Sequence, residues 1–273
     1  MHMPREEQGD SANGVEIEFD QVVTNIVKRL GNYADRYDEP VSHKHASVLC
    51  PIFKSSSGEI RVLLTQRSTE LKSHPGEVCF PGGKYDEEQD KDYVATALRE
   101  AHEEIGIKEE LVKVVAVLQP LLSKHLYSVT TVIGIISNKV VCRPNEQEVS
   151  CVFSVPLALF LEQDWPGCNF WSFNGQWESL NVISHCWKLT LDHTVDDMMI
   201  NMGCRQITRS GEGREGVQEL QQTLTIWGLT ASICTIVAQI GFDKTPNFDV
   251  CPKGSVAITD IVCKNGKVCV RQK

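Results

Sequence analysis

The chain has 273 residues, a hydrophobic content of 41% and a formal net charge of −9. This length is sufficient for one large domain with a substantial core, or for two small domains. The negative charge, with no compensating basic stripe in the sequence, argues against a general binder of nucleic-acid backbones. Basic residues gathered in one place could still bind a single anionic ligand.

The first predicted segment, residues 1–14, is acidic and has no apolar run, so neither a secretory signal nor an Arg-rich mitochondrial presequence is visible. We interpret it as a disordered or vector-derived N-terminus. The last residues lack a peroxisomal S-K-L tripeptide. We therefore expect a cytoplasmic protein, or a mitochondrial one if a presequence has been removed.

Apolar periodicity predicts the elements of the first half of the chain. Residues 15–33 are predicted to form an amphipathic helix. Residues 46–53 and 60–66 are predicted strands, joined by a turn at 55–58. A second helix is predicted from Tyr93 to Ile105, with Asp92 as its N-cap and Gly106 just past its end. Further strands are predicted near residues 112–118, 129–136 and 149–155.

The second half is more varied. Two strands are predicted within residues 169–190, where clustered aromatic side chains favour core or sheet packing, with stacking on an adenine as the alternative. Residues 191–222 contain a Gly-rich charged run, which predicts a flexible insertion that is disordered or acts as a lid. The apolar stretch 224–242 is interrupted by polar residues and predicts a buried helix rather than a membrane span. Residues 244–273 form a predicted extension with a β-hairpin around Asn265-Gly266.

The eleven cysteines contain no C-x-x-C pair, and their number is odd. Several of them lie within apolar, strand-like runs. This distribution is typical of reduced core thiols and argues against a disulfide framework or a zinc site. A reducing compartment follows.

Three glutamates in the second predicted helix carry the strongest functional signal. Glu100, Glu103 and Glu104 are spaced i, i+3 and i+4, so they share a face that lies largely off the apolar stripe. Carboxylates about 4 Å apart repel by about 4 kcal/mol at the effective dielectric of a protein surface. Taken alone, the pattern is more typical of a solvated acidic face. The Gly82-Gly83 turn upstream instead favours a site for Mg²⁺ or Mn²⁺, which prefer oxygen ligands.

The run Arg99-Glu100-Ala101-His102-Glu103-Glu104-Ile105-Gly106-Ile107, with the glycine pair before it, resembles the Nudix box, G-x5-E-x7-R-E-U-x-E-E-x-G-U with U aliphatic. The resemblance implies an α/β fold, the Nudix α/β/α sandwich with a mixed β-sheet between helices, in a Nudix hydrolase domain over residues 15–243 with the box at 83–107. It also implies a metal-dependent diphosphatase. By resemblance, the metal ligands are Glu100, Glu103, Glu104 and the backbone carbonyl of Gly83, and Arg99 orients the helix through an ion pair.

The box departs from the family pattern in one respect. Fifteen residues separate Gly83 from Arg99 where the pattern has thirteen, and the position eight before Arg99 is Lys91 rather than Glu. Asp90 is the nearest substitute as the partner of Arg99. Residues 87 and 88, both glutamates, are the alternatives.

A second resemblance concerns the substrate. Residues 63–83, from Leu-Leu-Thr-Gln-Arg-Ser to Phe-Pro-Gly-Gly, resemble the signature L-L-T-x-R-S-x3-R-x3-G-x3-F-P-G-G of the coenzyme A diphosphatase branch of Nudix hydrolases. Lys72 replaces one arginine of the signature, which keeps the charge and loses the bidentate fork. The resemblance implies that Arg67 and Lys72 contact substrate phosphates. The alternative for either residue is ordinary surface charge.

The implied reaction is hydrolysis of the diphosphate of coenzyme A or its thioesters to 3′,5′-ADP and 4′-phosphopantetheine or its acyl form. A helix glutamate, most naturally Glu103, could act as general base, and Glu148 and Glu146 are the alternatives. The substrate could instead be another nucleoside diphosphate derivative, such as ADP-ribose, NADH or an oxidised nucleotide. A third hypothesis is a Nudix binding module without catalysis. The expected partner is thus a small molecule, with no nucleic acid and no membrane, and a homodimer is left open.

Overall fold

A computed structural model describes residues 20–34, 41–190 and 223–271. Within them, the helices are α1 (Gln21–Ala34), α2 (Tyr93–Ile105) and α3 (Gly228–Phe242). The strands are β1 (Lys44–Lys54), β2 (Ile60–Arg67), β3 (Val78–Cys79), β4 (Gly82–Lys84), β5 (Lys113–Leu122), β6 (Tyr127–Ile135), β7 (Val149–Pro156), β8 (Cys168–Trp177), β9 (Leu180–Thr190), β10 (Thr223–Ile226), β11 (Ile261–Lys264) and β12 (Lys267–Val270). Short 3-10 turns cover Glu109–Leu111, Leu157–Leu161 and Ile258–Asp260.

The main sheet is mixed and is organised around β1. This strand pairs in parallel with β6 along its whole length, from the Lys44 pair with Tyr127 to the Ile52 pair with Ile135. It also pairs antiparallel with β2 at one end and with β4 at the other. Strands β7 and β3 extend the sheet beyond β2, and β5 extends it beyond β6. The short β4 therefore lies against the start of the central strand.

Helices cover both faces of this sheet. Consecutive residues of a strand point to opposite faces, and Leu49 packs with Ala97 of α2 while Cys50 packs in the cluster that includes α1 and α3. Strand β6 shows the same division, since Val132 lies on the α2 side and Ile133 on the other. The predicted α/β/α sandwich with a mixed sheet between helices is confirmed.

Helix α2 is determined by local signals. Its apolar stripe is buried, with Ala97, Ala101 and Ile105 all at 0% exposure. The Asp92 side chain accepts a hydrogen bond from the backbone N–H of Ala95, which satisfies one of the unpaired donors of the first turn. Gly106 ends the helix in the left-handed conformation at φ 72°, where a glycine has no Cβ penalty. The predicted bounds and both predicted caps are confirmed.

A second sheet and a terminal hairpin flank the main sheet. Strands β8, β9 and β10 form a three-stranded antiparallel sheet. Trp187 of β9 is fully buried, whereas Trp171 of β8 is 41% exposed, so the predicted packing role applies to some of the aromatic side chains and not to all. Strands β11 and β12 form an antiparallel hairpin around Asn265 and Gly266, both of which have positive φ.

Several expectations fall on residues that the structure does not describe, namely the N-terminus 1–14, the first residues of the helix predicted at 15–33, and the insertion 191–222. The predicted absence of a disulfide framework agrees with the described part of the chain, where no disulfide links the ten cysteines and five of them are buried. Across the described ranges, no helix combines the length and the hydropathy needed to cross a bilayer.

Candidate active site

The Gly82-Gly83 turn and helix α2 meet at the start of the central strand. Gly83 pairs with Ser47 of β1, and the backbone N–H of Leu49 donates to the carbonyl of Pro81 at 2.9 Å. The turn is therefore fixed by backbone hydrogen bonds to β1, the central strand of the sheet. A Cβ atom on Gly83 would collide with the carboxylate of Glu100, so only glycine leaves room for that side chain.

Glu104 is the most buried of the three helix glutamates, with its residue 3% exposed. Its Oε2 accepts a hydrogen bond of 3.1 Å from the backbone N–H of Gly82. The pKa of this carboxyl is raised to about 7, mainly by burial and also by the nearby charges of Glu100 and Glu148, while the Gly82 hydrogen bond and the charge of Arg67 oppose the shift. The metal-free site therefore disfavours the ionised form of Glu104.

Glu100 lies beside Glu104, one turn earlier on the helix. Its side chain is 17% exposed, and its Oε1 is 3.0 Å from Nη1 of Arg99. Burial raises the pKa of Glu100, and the charges of Glu103 and Glu148 act in the same direction, against the opposing effect of Arg99. The burial of these carboxylates contradicts a simple solvated acidic face.

Glu103 differs from the other two, because its side chain is 51% exposed. Its Oε2 lies 3.1 Å from Nη1 of Arg99, the same nitrogen that contacts Glu100. One arginine therefore bridges two of the predicted metal ligands. Rotation of Glu103 away from Arg99 would leave its carboxylate directed to solvent, and no backbone shift is needed for this.

Arg99 is itself anchored by Asp90. Its Nε is 2.9 Å from Oδ1 and its Nη2 is 3.1 Å from Oδ2 of this carboxylate, whose side chain is 1% exposed. The hydrogen bonds from Arg99 lower the pKa of Asp90, with further help from the backbone N–H of Asp86 and the hydroxyl of Thr96. The partner that the sequence left open is Asp90, and within the described residues neither of the alternative glutamates forms this ion pair.

Glu148 enters the site from the loop before β7. The loop is fixed to the end of α2 by two backbone hydrogen bonds, from Arg143 to the carbonyl of Ile105 at 2.7 Å and from Asn145 to that of Glu104 at 2.8 Å. The Glu148 carboxylate is close enough to act on the pKa values of Glu100 and Glu104. Glu146, the other loop glutamate, is exposed.

The two predicted phosphate contacts occupy different places. Arg67, at the end of β2, has Nη1 3.9 Å from Oε1 of Glu104, and its Nε donates to the carbonyl of Ser73 at 3.3 Å. Lys72 is exposed, and in the described part of the chain its side chain makes no ion pair. Arg67 therefore lies beside Glu104, whereas Lys72 lies at the surface of the loop between β2 and β3.

Asn145 is a site residue that the sequence did not single out. Its backbone N–H holds the carbonyl of Glu104, and its amide Nδ2 is 3.5 Å from Oε1 of Glu148. The signal that could have found it is an asparagine in a loop, two residues before Gln147, which is the spacing of an Asx turn. The neighbouring Gln147 indeed donates its backbone N–H to Oδ1 of Asn145 at 3.2 Å.

The donor set fits a hard divalent cation in its chemistry. One buried and one partly buried carboxylate with raised pKa values, and a third at the surface, make a concentration of negative charge that a cation would relieve. The close approach of Glu100 to Gly83 also brings the carboxylate to the predicted backbone ligand. Within residues 20–34, 41–190 and 223–271, however, no three acidic, histidine or cysteine side chains already converge as a metal site. Arg99 holds Glu103 in a different position.

Comparison with known proteins agrees with this fold. Residues 43–167 match the model of the NUDIX domain family. This part of the chain is therefore similar to a NUDIX domain, and the mixed sheet between helices is the Nudix fold. The match includes β1, the glycine turn, α2 and Glu148.

The relatives carry the same family name. Nudix hydrolase 15, mitochondrial, from Arabidopsis thaliana is 39% identical over 213 residues, which cover 77% of this chain and 63% of the relative. Nudix hydrolase 22, chloroplastic, from the same organism is 36% identical over 75% of this chain and 58% of the relative. Uncharacterized Nudix hydrolase NudL from Shigella flexneri is 47% identical over 44% of this chain and 61% of the relative. The matched part thus spans less than two thirds of each relative.

Proposed function

We propose that this chain is a metal-dependent diphosphatase of the Nudix type, and that its substrate is coenzyme A or one of its thioesters. The products are 3′,5′-ADP and 4′-phosphopantetheine, or the acyl form of the latter. The observation that carries the proposal is the placement of Glu100 and Glu104 beside the Gly82-Gly83 turn, with Nη1 of Arg67 3.9 Å from Glu104.

The carboxylates would hold Mg²⁺ or Mn²⁺, with Gly83 offering its backbone carbonyl. When bound, such an ion neutralises charge on the diphosphate and lowers the pKa of the attacking water. Glu100 and Glu104 are held in place by packing and by the Gly82 N–H. Glu103 can rotate because its side chain is 51% exposed and its ion pair with Arg99, one turn of the helix away, lies at the surface.

Arg67 supports a diphosphate substrate in particular. Its guanidinium faces the carboxylates, and the Ser73 carbonyl fixes its Nε. A bound diphosphate would place two phosphate groups within reach of the remaining N–H donors of this arginine. Guanidinium groups favour such bidentate hydrogen bonds to phosphate oxygens. Arg67 also belongs to the segment 63–83 that resembles the signature of the coenzyme A branch. A residue of that segment therefore lies next to the glutamates of the candidate site.

Two groups are candidates for the general base. Glu103 lies on the helix with an exposed carboxylate, and Glu148 approaches the same carboxylates from the opposite loop. We favour Glu103, because its exposed carboxylate can move without disturbing a buried contact. Glu148→Gln compared with Glu103→Gln, both assayed with the same metal, separates the two roles.

The substrate panel is the main experiment. The protein is incubated with Mg²⁺ or Mn²⁺ and with coenzyme A, acetyl-coenzyme A, NADH, ADP-ribose and an oxidised nucleotide, and the products are identified by mass. We expect the highest kcat/KM for a coenzyme A species. Much faster turnover of ADP-ribose or NADH would replace the substrate proposal with that of another nucleoside diphosphate hydrolase. No metal-dependent turnover of any of them would favour a binding module.

We also infer that the enzyme works in a reducing compartment, either the cytoplasm or the mitochondrial matrix. No disulfide links the described cysteines, and buried thiols such as Cys50 and Cys234 have raised pKa values because burial disfavours the thiolate. One relative is named as mitochondrial. Cell fractionation with an antibody against the endogenous protein tests this inference, and recovery in a secreted fraction would contradict it.

A further inference from the structure

Strand β8 forms one edge of the second sheet. All of its residues pair with β9, from the Cys168 pair with Leu189 to the Trp177 pair with Leu180, without a register shift. The order of this sheet is β10, β9, β8, so within the described residues no strand pairs with the outer side of β8. The backbone N–H and C=O groups on that side can therefore pair with a further strand.

Proteins usually protect an edge strand with charged residues, proline or bulges. The main sheet has such protection at its edge strand β5, which contains Lys113 and Pro120 and has two register shifts in its pairing with β6. Residues 168–177 of β8, in contrast, contain no charged residue and no proline. The β8 edge is thus long, regular and unprotected, and an edge of this form readily accepts another strand.

The side chains of β8 add an exposed apolar patch to this edge. Trp171 is 41% exposed and Phe173 is 43% exposed. Residues two apart on a strand face the same side of the sheet, so these two rings are neighbours on one face. Phe170, which faces the opposite side, packs against Trp187 and Phe248. The exposed pair is therefore separate from the aromatic cluster that packs the other face of this sheet.

Strand β8 is complementary to a copy of itself, both in charge and in the order of its side chains. A second β8 strand that runs antiparallel, with Ser172 opposite its own copy, places Trp171 of each chain opposite Phe173 of the other. Aromatic side chains directly opposite each other on antiparallel strands stabilise a sheet, whereas like charges in these positions destabilise it. Because β8 has no charged residue, its copy meets no like charge along the strand.

We propose that two copies of this chain associate through β8, and that the antiparallel pairing of the two β8 strands joins both three-stranded sheets into one continuous sheet. Each copy uses the same surface, so the contact closes as a dimer with two-fold symmetry. A strand of this length extends about 33 Å, and a contact along one edge is small beside a standard interface. We therefore expect a weak dimer, with a Kd of roughly 10 µM.

Sedimentation velocity tests this association on the full chain, at protein concentrations from about 1 to about 200 µM, which bracket the expected Kd. The wild type is expected to change from monomer to dimer across this range. The double variant Trp171→Lys/Phe173→Lys places like charges opposite each other and should remain monomeric. The matched control is Val22→Lys/Val141→Lys, which changes two exposed apolar residues outside β8 and should dimerise like the wild type.

A charge-reversed pair of variants tests the register. Trp171→Glu/Phe173→Glu should also be monomeric alone, but its equimolar mixture with the lysine variant should form a heterodimer, because each lysine then lies opposite a glutamate. Recovery of the dimer in the mixture also shows that both variants are folded. A wild type that stays monomeric throughout, a lysine variant that dimerises like the wild type, or a mixture that stays monomeric would each overturn the inference. Because no substrate is used, the outcome is independent of the proposed function.

Discussion

Asp90 binds Arg99 through two parallel hydrogen bonds, of 2.9 Å to Nε and 3.1 Å to Nη2. This leaves Nη1 of the same guanidinium to contact Glu100 and Glu103. A buried acid in the loop before α2 thereby fixes the arginine that contacts two carboxylates of the candidate site. The longer loop of this chain is accommodated because Asp90 closes a turn with Asp86, whose N–H donates to the same carboxylate at 3.1 Å.

The first prediction concerns this ion pair. Asp90→Asn leaves Arg99 without a charged partner and weakens a buried network that includes Thr96. We expect a loss of about 3 kcal/mol in the free energy of unfolding, as for other buried pairs from which one partner is removed. Urea unfolding followed by circular dichroism measures it. Asp92→Asn is the control, since asparagine caps a helix as well as aspartate does. An Asp90 variant as stable as this control would contradict the prediction.

Gly83→Ala should disable the site and keep the fold. The added Cβ would displace the Glu100 carboxylate, which is the flexible end of a side chain and can move. A displacement of about 1 Å near the reacting groups lowers kcat/KM by roughly 100-fold. Steady-state assays and thermal unfolding are measured together. Gly31→Ala, where the nearest atom to the new Cβ is 3.9 Å away, is the control and should retain full activity. A fully active Gly83 variant would show that this approach is not needed for catalysis.

Glu103→Gln tests the most exposed of the helix glutamates. Its carboxylate contributes little to packing, so the melting temperature should change by only a few degrees or less. Loss of a positioned acid–base group lowers kcat by roughly 10²- to 10⁴-fold, and loss of a metal ligand adds to this. Glu109→Gln changes an exposed glutamate just past the helix and is the control. Near-normal turnover in the Glu103 variant would remove this residue from the mechanism.

Glu104 should make the metal-free protein less stable as pH rises. Its pKa is about 7 in the folded state and 4.5 in the reference state, so the folded protein binds this proton more tightly. The resulting stability is present below pH 4.5 and is lost as pH rises through about 7. In EDTA at pH 8, Glu104→Gln should therefore be more stable than the wild type, by up to about 3 kcal/mol.

Thermal unfolding in EDTA at pH 5 and pH 8 measures this effect. The difference between variant and wild type should be much smaller at pH 5, where most of the wild-type carboxyl is protonated. Adding Mn²⁺ at pH 8 should raise the melting temperature of the wild type and have less effect on the variant. If the variant were less stable than the wild type at both pH values, burial of the ionised Glu104 carboxylate would not be destabilising the folded protein.

The sequence by itself determined the elements that depend on local signals. The apolar stripe of α2, its Asp92 cap and its Gly106 end are set by residues within a few positions of one another, and the structure has them as predicted. The alternation of apolar residues likewise located the five long strands of the main sheet, with bounds that differ by a few residues, but not the short β3 and β4. The three glutamates on one helical face follow from the same short-range geometry.

The tertiary structure decided what depends on distant contacts. The choice of Asp90 as the partner of Arg99 depends on how the long loop folds back on α2, and burial of that carboxylate selects it over its exposed neighbours. Lys72 is exposed, whereas Arg67, whose Nε donates to the carbonyl of Ser73, has Nη1 3.9 Å from Glu104. Ser47 and Gly83 are far apart in sequence, and they meet because β1 pairs with β4. Such pairing depends on sheet register, which no local pattern of residues specifies.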